Sequence, residues 1–369
     1  MAAGSKPTDF RFLKRLGLLL VAEAVLGIAA AVAIVWFGLY DVAASRGHDP
    51  LTARFLHFVM LRSVAAHAPD IPVPNLDDPV LVLQGATHFY NSCGRCHGAP
   101  DQIALPIVQR MTPAPPPLYS AAATFTPQQL FWIVKNGIKM TAMPAWPAPQ
   151  RDDEVWALVA FLEQLPKTKP AQFASLAGLS AGGQAGQPAA TASPGFDPAP
   201  CARCHGADGN GRERAFPRIA GLSAGYIAAS LRAFRSGNRP SGFMEVATEN
   251  LSDAEIDAAA AYYAGLLPKP PAAAPPAGAV AQLGKALVEQ GDPASGIAAC
   301  RTCHLPQSQS RGAPVPDLTG QPAWYLAAQL RLLASGVRRP PGGTGSVSAA
   351  HRLSEAQLAA VSAYLASSP

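Results

Sequence analysis

All six cysteines of the 369-residue chain fall in three C-x-x-C-H groups: Cys93, Cys96 and His97; Cys201, Cys204 and His205; Cys300, Cys303 and His304. Two thiols three positions apart, followed at once by an imidazole, can add to the vinyl groups of a porphyrin as thioethers and bring the histidine beneath it as proximal iron ligand. The spacing fixes porphyrin and imidazole together, so the expected cofactors are three covalently held haem c groups. A zinc site would need four N, S or O ligands, and no second C-x-x-C or H-x-H partner stands within any of the three stretches. A thioredoxin-like dithiol would need a βαβ pattern, which the sequence lacks.

The sixth iron position calls for a donor later in each stretch. In NGIKMTAMPAW the Met-Pro-Ala-Trp setting favours Met143, leaving Met140 for the core, and SGNRPSGFMEVATENLSD contains Met244 alone. Thioether ligation raises the reduction potential relative to a second imidazole, which suits an electron carrier. The six methionines are Met1, Met60, Met111, Met140, Met143 and Met244, so none follows the third C-x-x-C-H group. There PPGGTGSVSAAH fills the corresponding position, and counting against the second stretch puts either Ser346 or Gly343 opposite Met244. His351 is the other histidine available, so the third iron is expected to take His304 and His351, or else to stay five-coordinate. His57 and His67 lie on an amphipathic stretch and are expected at the surface or in packing.

Positioning these residues requires small helical modules. Cys201, Cys204, His205, Pro217, Gly221, Tyr226, Leu231, Gly237 and Arg239 recur 99 positions later as Cys300, Cys303, His304, Pro316, Gly320, Tyr325, Leu330, Gly336 and Arg338, the mark of a duplication. Modules are expected at 78–166, 198–267 and 280–369, joined by a linker at 167–197 and a Pro/Ala linker at 268–279. Modules this small bury little apolar surface, so each needs an internal staple. Upstream, Leu16 to Tyr40 is an apolar run of 25 positions broken by Glu23, long enough to cross ~30 Å of hydrocarbon. Lys6, Arg11, Lys14 and Arg15 precede the run while Asp41, Arg46 and Asp49 follow it, which puts the N-terminus in the cytoplasm. Residues 1–40 are thus read as a cytoplasmic N-terminus and single-pass anchor in the inner membrane, 41–77 as a juxtamembrane segment, and the modules as periplasmic. A cleaved signal would have a shorter apolar core, ~7–15 residues.

The net charge of +5 comes with a charged fraction of 14% and no Lys/Arg tract, so nucleic acid is not expected as a partner. Gly (32) and Pro (37) are abundant but follow no period, which excludes a collagen-like chain.

At the quoted residues the chain resembles the class I c-type cytochromes. HFYNSCGRCHGAPD, FWIVKNGIKMTAMPAW and DEVWALVAFL resemble the single-haem domain of membrane-anchored bacterial cytochromes. The duplicated CARCHGADGNGR, FPRIAGLSAGYIAASLRAFRSGNRP and LSDAEIDAAAAYYA resemble the tandem domains of soluble dihaem cytochromes. As a three-haem whole the chain is similar to the cytochrome subunits of periplasmic alcohol, gluconate and aldehyde dehydrogenases. The resemblance implies an all-α fold and single-electron relay from a dehydrogenase to quinone, another cytochrome or a terminal oxidase, with the membrane and these redox proteins as partners. The rival readings are a peroxidase-like enzyme at an open third haem, and a haem-based sensor or tether.

Overall fold

The computed structural model describes residues 10–100, 102–179, 196–271, 273–304, 315–340 and 345–368. Among them there is no β-strand, only isolated bridges at Ala99–Gln102 and Asp292–Ile297, and the chain is all-α as expected.

Helix α1 (Phe10–Trp36) is exposed along its length and is long and apolar enough to cross a membrane. At 1.5 Å per residue its 27 residues extend about 40 Å. It ends four residues before the apolar run does because Gly38 takes φ 62°, letting the Gly38 and Leu39 amides close onto the Val35 and Ile34 carbonyls in a Schellman motif. Helix α2 (Pro50–His67) is capped by the Asp49 carboxylate on the Leu51 and Thr52 amides, buries Val64, and brings His67 to 6.0 Å from the Trp132 ring.

The next unit contains α3 (Pro79–His88), one π turn (Phe89–Cys93), α4 (Gly94–His97), α5 (Leu118–Ala121), α6 (Pro127–Asn136), α7 (Asp152–Gln164) and α8 (Pro170–Leu176). Local chemistry starts these helices. Asp78 accepts from the Val80 amide with Pro79 in the first turn, Thr126 and Gln129 form a capping box, and three acids open α7 where the helix dipole favours them. Helix α3 crosses α7 closely because residue 85 is glycine; a Cβ there would overlap the Ala157 carbonyl. Phe89, Phe161 and Phe173 meet in the core with centroid separations of 5.2 to 6.1 Å. Phe173 corrects the expectation that the linker begins at residue 167: it sits on α8 and is 1% exposed, a burial worth about 2–3 kcal/mol that a free linker would forfeit. Residues 180–195 of that linker lie outside the described residues, as do positions 341–344.

The duplicated half contains α9 (Ala199–His205), α10 (Ala224–Arg235), α11 (Gly242–Thr248) and α12 (Asp253–Ala264), then α13 (Gly278–Glu289), α14 (Arg301–His304), α15 (Ala323–Ala334), α16 (Gly345–Arg352) and α17 (Glu355–Ser367). Capping boxes Ser252–Glu255 and Ser354–Gln357 start the two closing helices. Helix α11 lies on α10 as α16 lies on α15. Helix α13 crosses α17 at Gly284, where a Cβ would overlap the Ala360 carbonyl, repeating the α3–α7 arrangement. The second unit instead leans on the first: Leu83, Val80 and Leu176 pack on Ala215, Phe216 and Cys204, and Gln84 Nε2 donates to the Ala215 carbonyl at 2.7 Å.

Candidate haem-attachment sites

Each C-x-x-C-H group rides on a short helix that places its two thiols and imidazole beside a core cluster. Cys93, Cys201 and Cys300 pack against the apolar clusters of their own units. Burial pushes the thiols up, Cys93 and Cys204 to about 12 and Cys201 to about 11, with Cys300 raised as well. Thiols held neutral in this way are poor thiolate ligands. No cluster of three or more His, Cys, Asp or Glu able to hold a bare metal ion exists among the described residues.

The three histidines share one geometry. His97 Nδ1–H donates to the Pro116 carbonyl at 2.8 Å, His205 Nδ1–H to Pro217 at 2.9 Å, and His304 Nδ1–H to Pro316 at 3.0 Å. Such a bond fixes the tautomer and orients the ring, with Nε2 as the unprotonated nitrogen. Burial depresses all three imidazoles, with the proline carbonyls pulling the other way. Pro217 and Pro316 were visible in the sequence as part of the 99-residue repeat, whereas Pro116 was not, and no proline's role as acceptor was legible.

The distal candidates divide. Met143 is half-buried, its amide bonded to Thr141 Oγ1 at 3.1 Å, whereas Met140 is 96% exposed with φ 60°. The expectation of Met140 in the core is therefore corrected: the left-handed turn swings its side chain into solvent. Met244 is half-buried on the first turn of α11, with its amide held by Ser241 Oγ at 3.2 Å. In the third unit Ser346, on α16, donates its hydroxyl to His304 Nε2 at 3.1 Å. His351 lies five residues further along α16, about 140° around the helix, and is exposed. The structure thus brings His304 together with Ser346 and keeps His351 apart from it.

The units meet around these positions. Trp146, three residues after Met143, packs edge-on against Phe243, the neighbour of Met244, with centroids 5.7 Å apart, and His88 lies 5.1 and 4.7 Å from the two rings. Burial depresses His88 to about 3, so it stays neutral. Gly242 allows this approach, since a Cβ would overlap the Trp146 ring. Beside it Glu154, paired with Arg151 at 2.8 Å, accepts from Ser241 Oγ at 2.6 Å and the Gly242 amide at 2.7 Å. The second and third units meet reciprocally: Arg239 Nη2 donates to Tyr325 at 2.8 Å and Arg338 Nη2 to Tyr226 at 3.2 Å.

These surroundings fit a haem. Arg239 and Arg338 are both sequestered, and neither has a carboxylate partner among the described residues, so the pair offers an anionic group such as a haem propionate two guanidiniums. Ser92 Oγ, Arg203 Nε and Trp146 Nε1, within or next to the C-x-x-C-H and Met-Pro-Ala-Trp segments, are buried without a hydrogen-bond partner among the described residues.

A helical fold with C-x-x-C-H groups on short helices defines a c-type cytochrome, and comparison with known proteins agrees. Residues 81–162 match the family model of cytochrome c oxidase, cbb3-type, subunit III, and residues 196–266 and 281–369 match that of cytochrome c. The chain is 40% identical over 185 residues to a thiosulfate dehydrogenase electron acceptor of Thiomonas intermedia, covering 49% of this chain and 84% of the relative. It is 37% identical to a cytochrome c4 of Pseudomonas aeruginosa, covering 45% of this chain and 82% of the relative. Reduced recombinant cytochrome c4 from Pseudomonas stutzeri superposes with a TM-score of 0.43 at 31% identity, over 47% of this chain and 95% of that one. The chain belongs to the class I c-type cytochromes: it is an electron-transfer protein, and its cofactor is haem c.

Proposed function

We propose that the chain relays single electrons through three haem c groups on the periplasmic side of the inner membrane, anchored there by α1. In this reading Cys93, Cys96, Cys201, Cys204, Cys300 and Cys303 hold the haems as thioethers in three modules, the first running from residue 78 through α8 and the others spanning 198–267 and 280–369. His97, His205 and His304 are the proximal ligands, and Met143 and Met244 the distal ligands of the first two. The haems supply the one-electron chemistry. The chain's residues supply ligation, orientation and a buried, mostly neutral setting: the proline carbonyls orient each imidazole and raise its basicity, while methionine ligation by Met143 and Met244 raises the potential.

The observation that carries this reading is the threefold recurrence of the motif with its imidazole held in one way by a proline carbonyl. Two further observations support its details. Helix α1 has the length and composition of a span. Relatives named as electron acceptors of thiosulfate dehydrogenase support a dehydrogenase as the donor. Electrons then pass to quinone, another cytochrome or a terminal oxidase. Acid–acetone extraction of the purified full chain tests the attachment: three haems should remain on each polypeptide, and fewer than three, or haem in the solvent, would refute it.

A further inference from the structure

We propose that α2, taking as given that α1 spans the bilayer, lies in the membrane interface with its outward apolar side against acyl chains and its arginines on anionic phospholipid headgroups. One side of α2 is already used. Val64 is buried and His67 stands 6.0 Å from the Trp132 ring of α6, which fastens the helix to the first unit. Helical geometry puts Leu51, Phe55 and Phe58 on the opposite side, where they are 78%, 61% and 59% exposed. A helix that packs along one side normally carries polar residues on the other. Here the other side carries two phenylalanines.

Two observations select lipid as what covers that side. The first is position. Tyr40, the last residue of the apolar run, shares a hydrogen bond of 3.0 Å with His48 Nδ1, and Asp41 pairs with Arg46 at 3.2 Å. The connection therefore folds back on itself, and α2 begins two residues after a group bonded to the end of the span. Trp36 and Tyr40 are the residue types that mark the headgroup level. The second is charge. The 18 residues of α2 include no acid, and the acid that precedes them, Asp49, is engaged in the cap on the Leu51 and Thr52 amides. Arg54 and Arg62 are exposed, and neither has an ion-pair partner among the described residues. They flank Phe58 along the helix, so their stems can lie on the apolar side while the guanidiniums take phosphate oxygens in pairs. Aromatic and aliphatic residues together with arginine and no acid are the composition of a helix that lies in the interface plane.

Two arginines and one apolar side make a reversible contact, so α1 remains the anchor and α2 sets orientation. The inward side of α2 is fastened near α6, and Thr112 Oγ1 donates to the Ala44 carbonyl at 2.8 Å, tying the connection to the first unit as well. Lipid contact by α2 thereby fixes which side of the first C-x-x-C-H unit faces the bilayer.

The full chain with the photoreactive p-benzoylphenylalanine in place of Phe58, reconstituted in vesicles of phosphatidylcholine and phosphatidylglycerol, tests this. Irradiation should add the mass of one phospholipid to the chain, as it should with the same residue in place of Leu26 in α1. Arg54→Gln and Arg62→Gln together should cut the lipid adduct at position 58 several-fold and leave that at position 26 unchanged. A lipid adduct at 26 without one at 58 would overturn the placement of α2 while leaving the span intact, whereas adducts at neither would refute the span and the placement together. A cross-link from 58 to a second copy of the chain would overturn the proposal in favour of a protein interface. An adduct at 58 that is insensitive to the arginine changes would overturn the part given to anionic headgroups.

Discussion

The histidines of the three C-x-x-C-H groups show how far a residue type and its neighbours specify chemistry. Cysteine spacing and the following imidazole are contiguous in the chain, so they were readable directly. The proline carbonyls that hold each Nδ1 lie 19, 12 and 12 residues away. A sequence shows that Pro217 and Pro316 repeat, but not that a backbone acceptor points at a ring. His351 marks the same limit from the other side. Donor inventory alone makes it a natural ligand, whereas the direction of a side chain on a helix depends on its register, and on α16 His351 is exposed, five residues past Ser346. At this scale the thioether assignments are testable one at a time. Met143→Ala and Met244→Ala should each remove the iron–thioether absorbance at the red end of the oxidised spectrum for one haem. Each should also lower that haem's potential by on the order of 100 mV, within the ~0.8 V range that axial ligands span. An unchanged spectrum in either variant would assign that haem another donor.

Among the elements, the helix crossings carry the modules. Gly85 and Gly284 lie where α3 meets α7 and α13 meets α17, each against a carbonyl of the partner helix. Gly85→Ala and Gly284→Ala should therefore each destabilise the fold by about 1–3 kcal/mol, seen as a lower urea midpoint with the slope unchanged. The helices themselves were legible from capping residues and apolar spacing. Helix α8 was missed because its seven residues sit in a Pro- and Ala-rich stretch whose one strong signal, Phe173, is a long-range contact with Phe89 and Phe161.

The junction of the first two units adds a pH dependence with a definite sign. Burial pushes the Glu154 carboxyl up from 4.5 to about 7, against the pull of Arg151. Between those values the folded chain binds more protons than the unfolded one, so this group's contribution is full below about pH 4.5 and is lost as pH rises to about 7. Stability should fall by about 2 kcal/mol between pH 5.5 and 8 from this source, and Glu154→Gln should flatten the slope. A wild-type slope unaltered in the variant would assign the dependence to another group.

For the whole molecule, the contacts between units fix how the three C-x-x-C-H modules are joined. Trp146 and Phe243 touch across the first junction, next to Met143 and Met244, and the reciprocal Arg239–Tyr325 and Arg338–Tyr226 bonds join the second and third units. The duplication made the second junction partly legible, because Tyr226, Arg239 and their copies stood out as repeated polar residues. The first junction had no such signal: Glu154 with Ser241, and Trp146 with Phe243, are separated by 87 and 97 positions and follow no repeat. Helix α1 belongs to this scale as well. If it is the anchor, the full chain should remain with membranes through alkaline carbonate washing, and removal of residues 1–40 should release the haem-bearing part in soluble form.

A spectropotentiometric titration of the full chain in detergent bears on electron relay most directly. Three one-electron components of equal haem content should be resolved, each reduced and reoxidised reversibly, with two of them at the higher potentials expected of thioether ligation. Fewer than three reversible components, in a chain shown to carry three haems, would contradict a relay through all three modules.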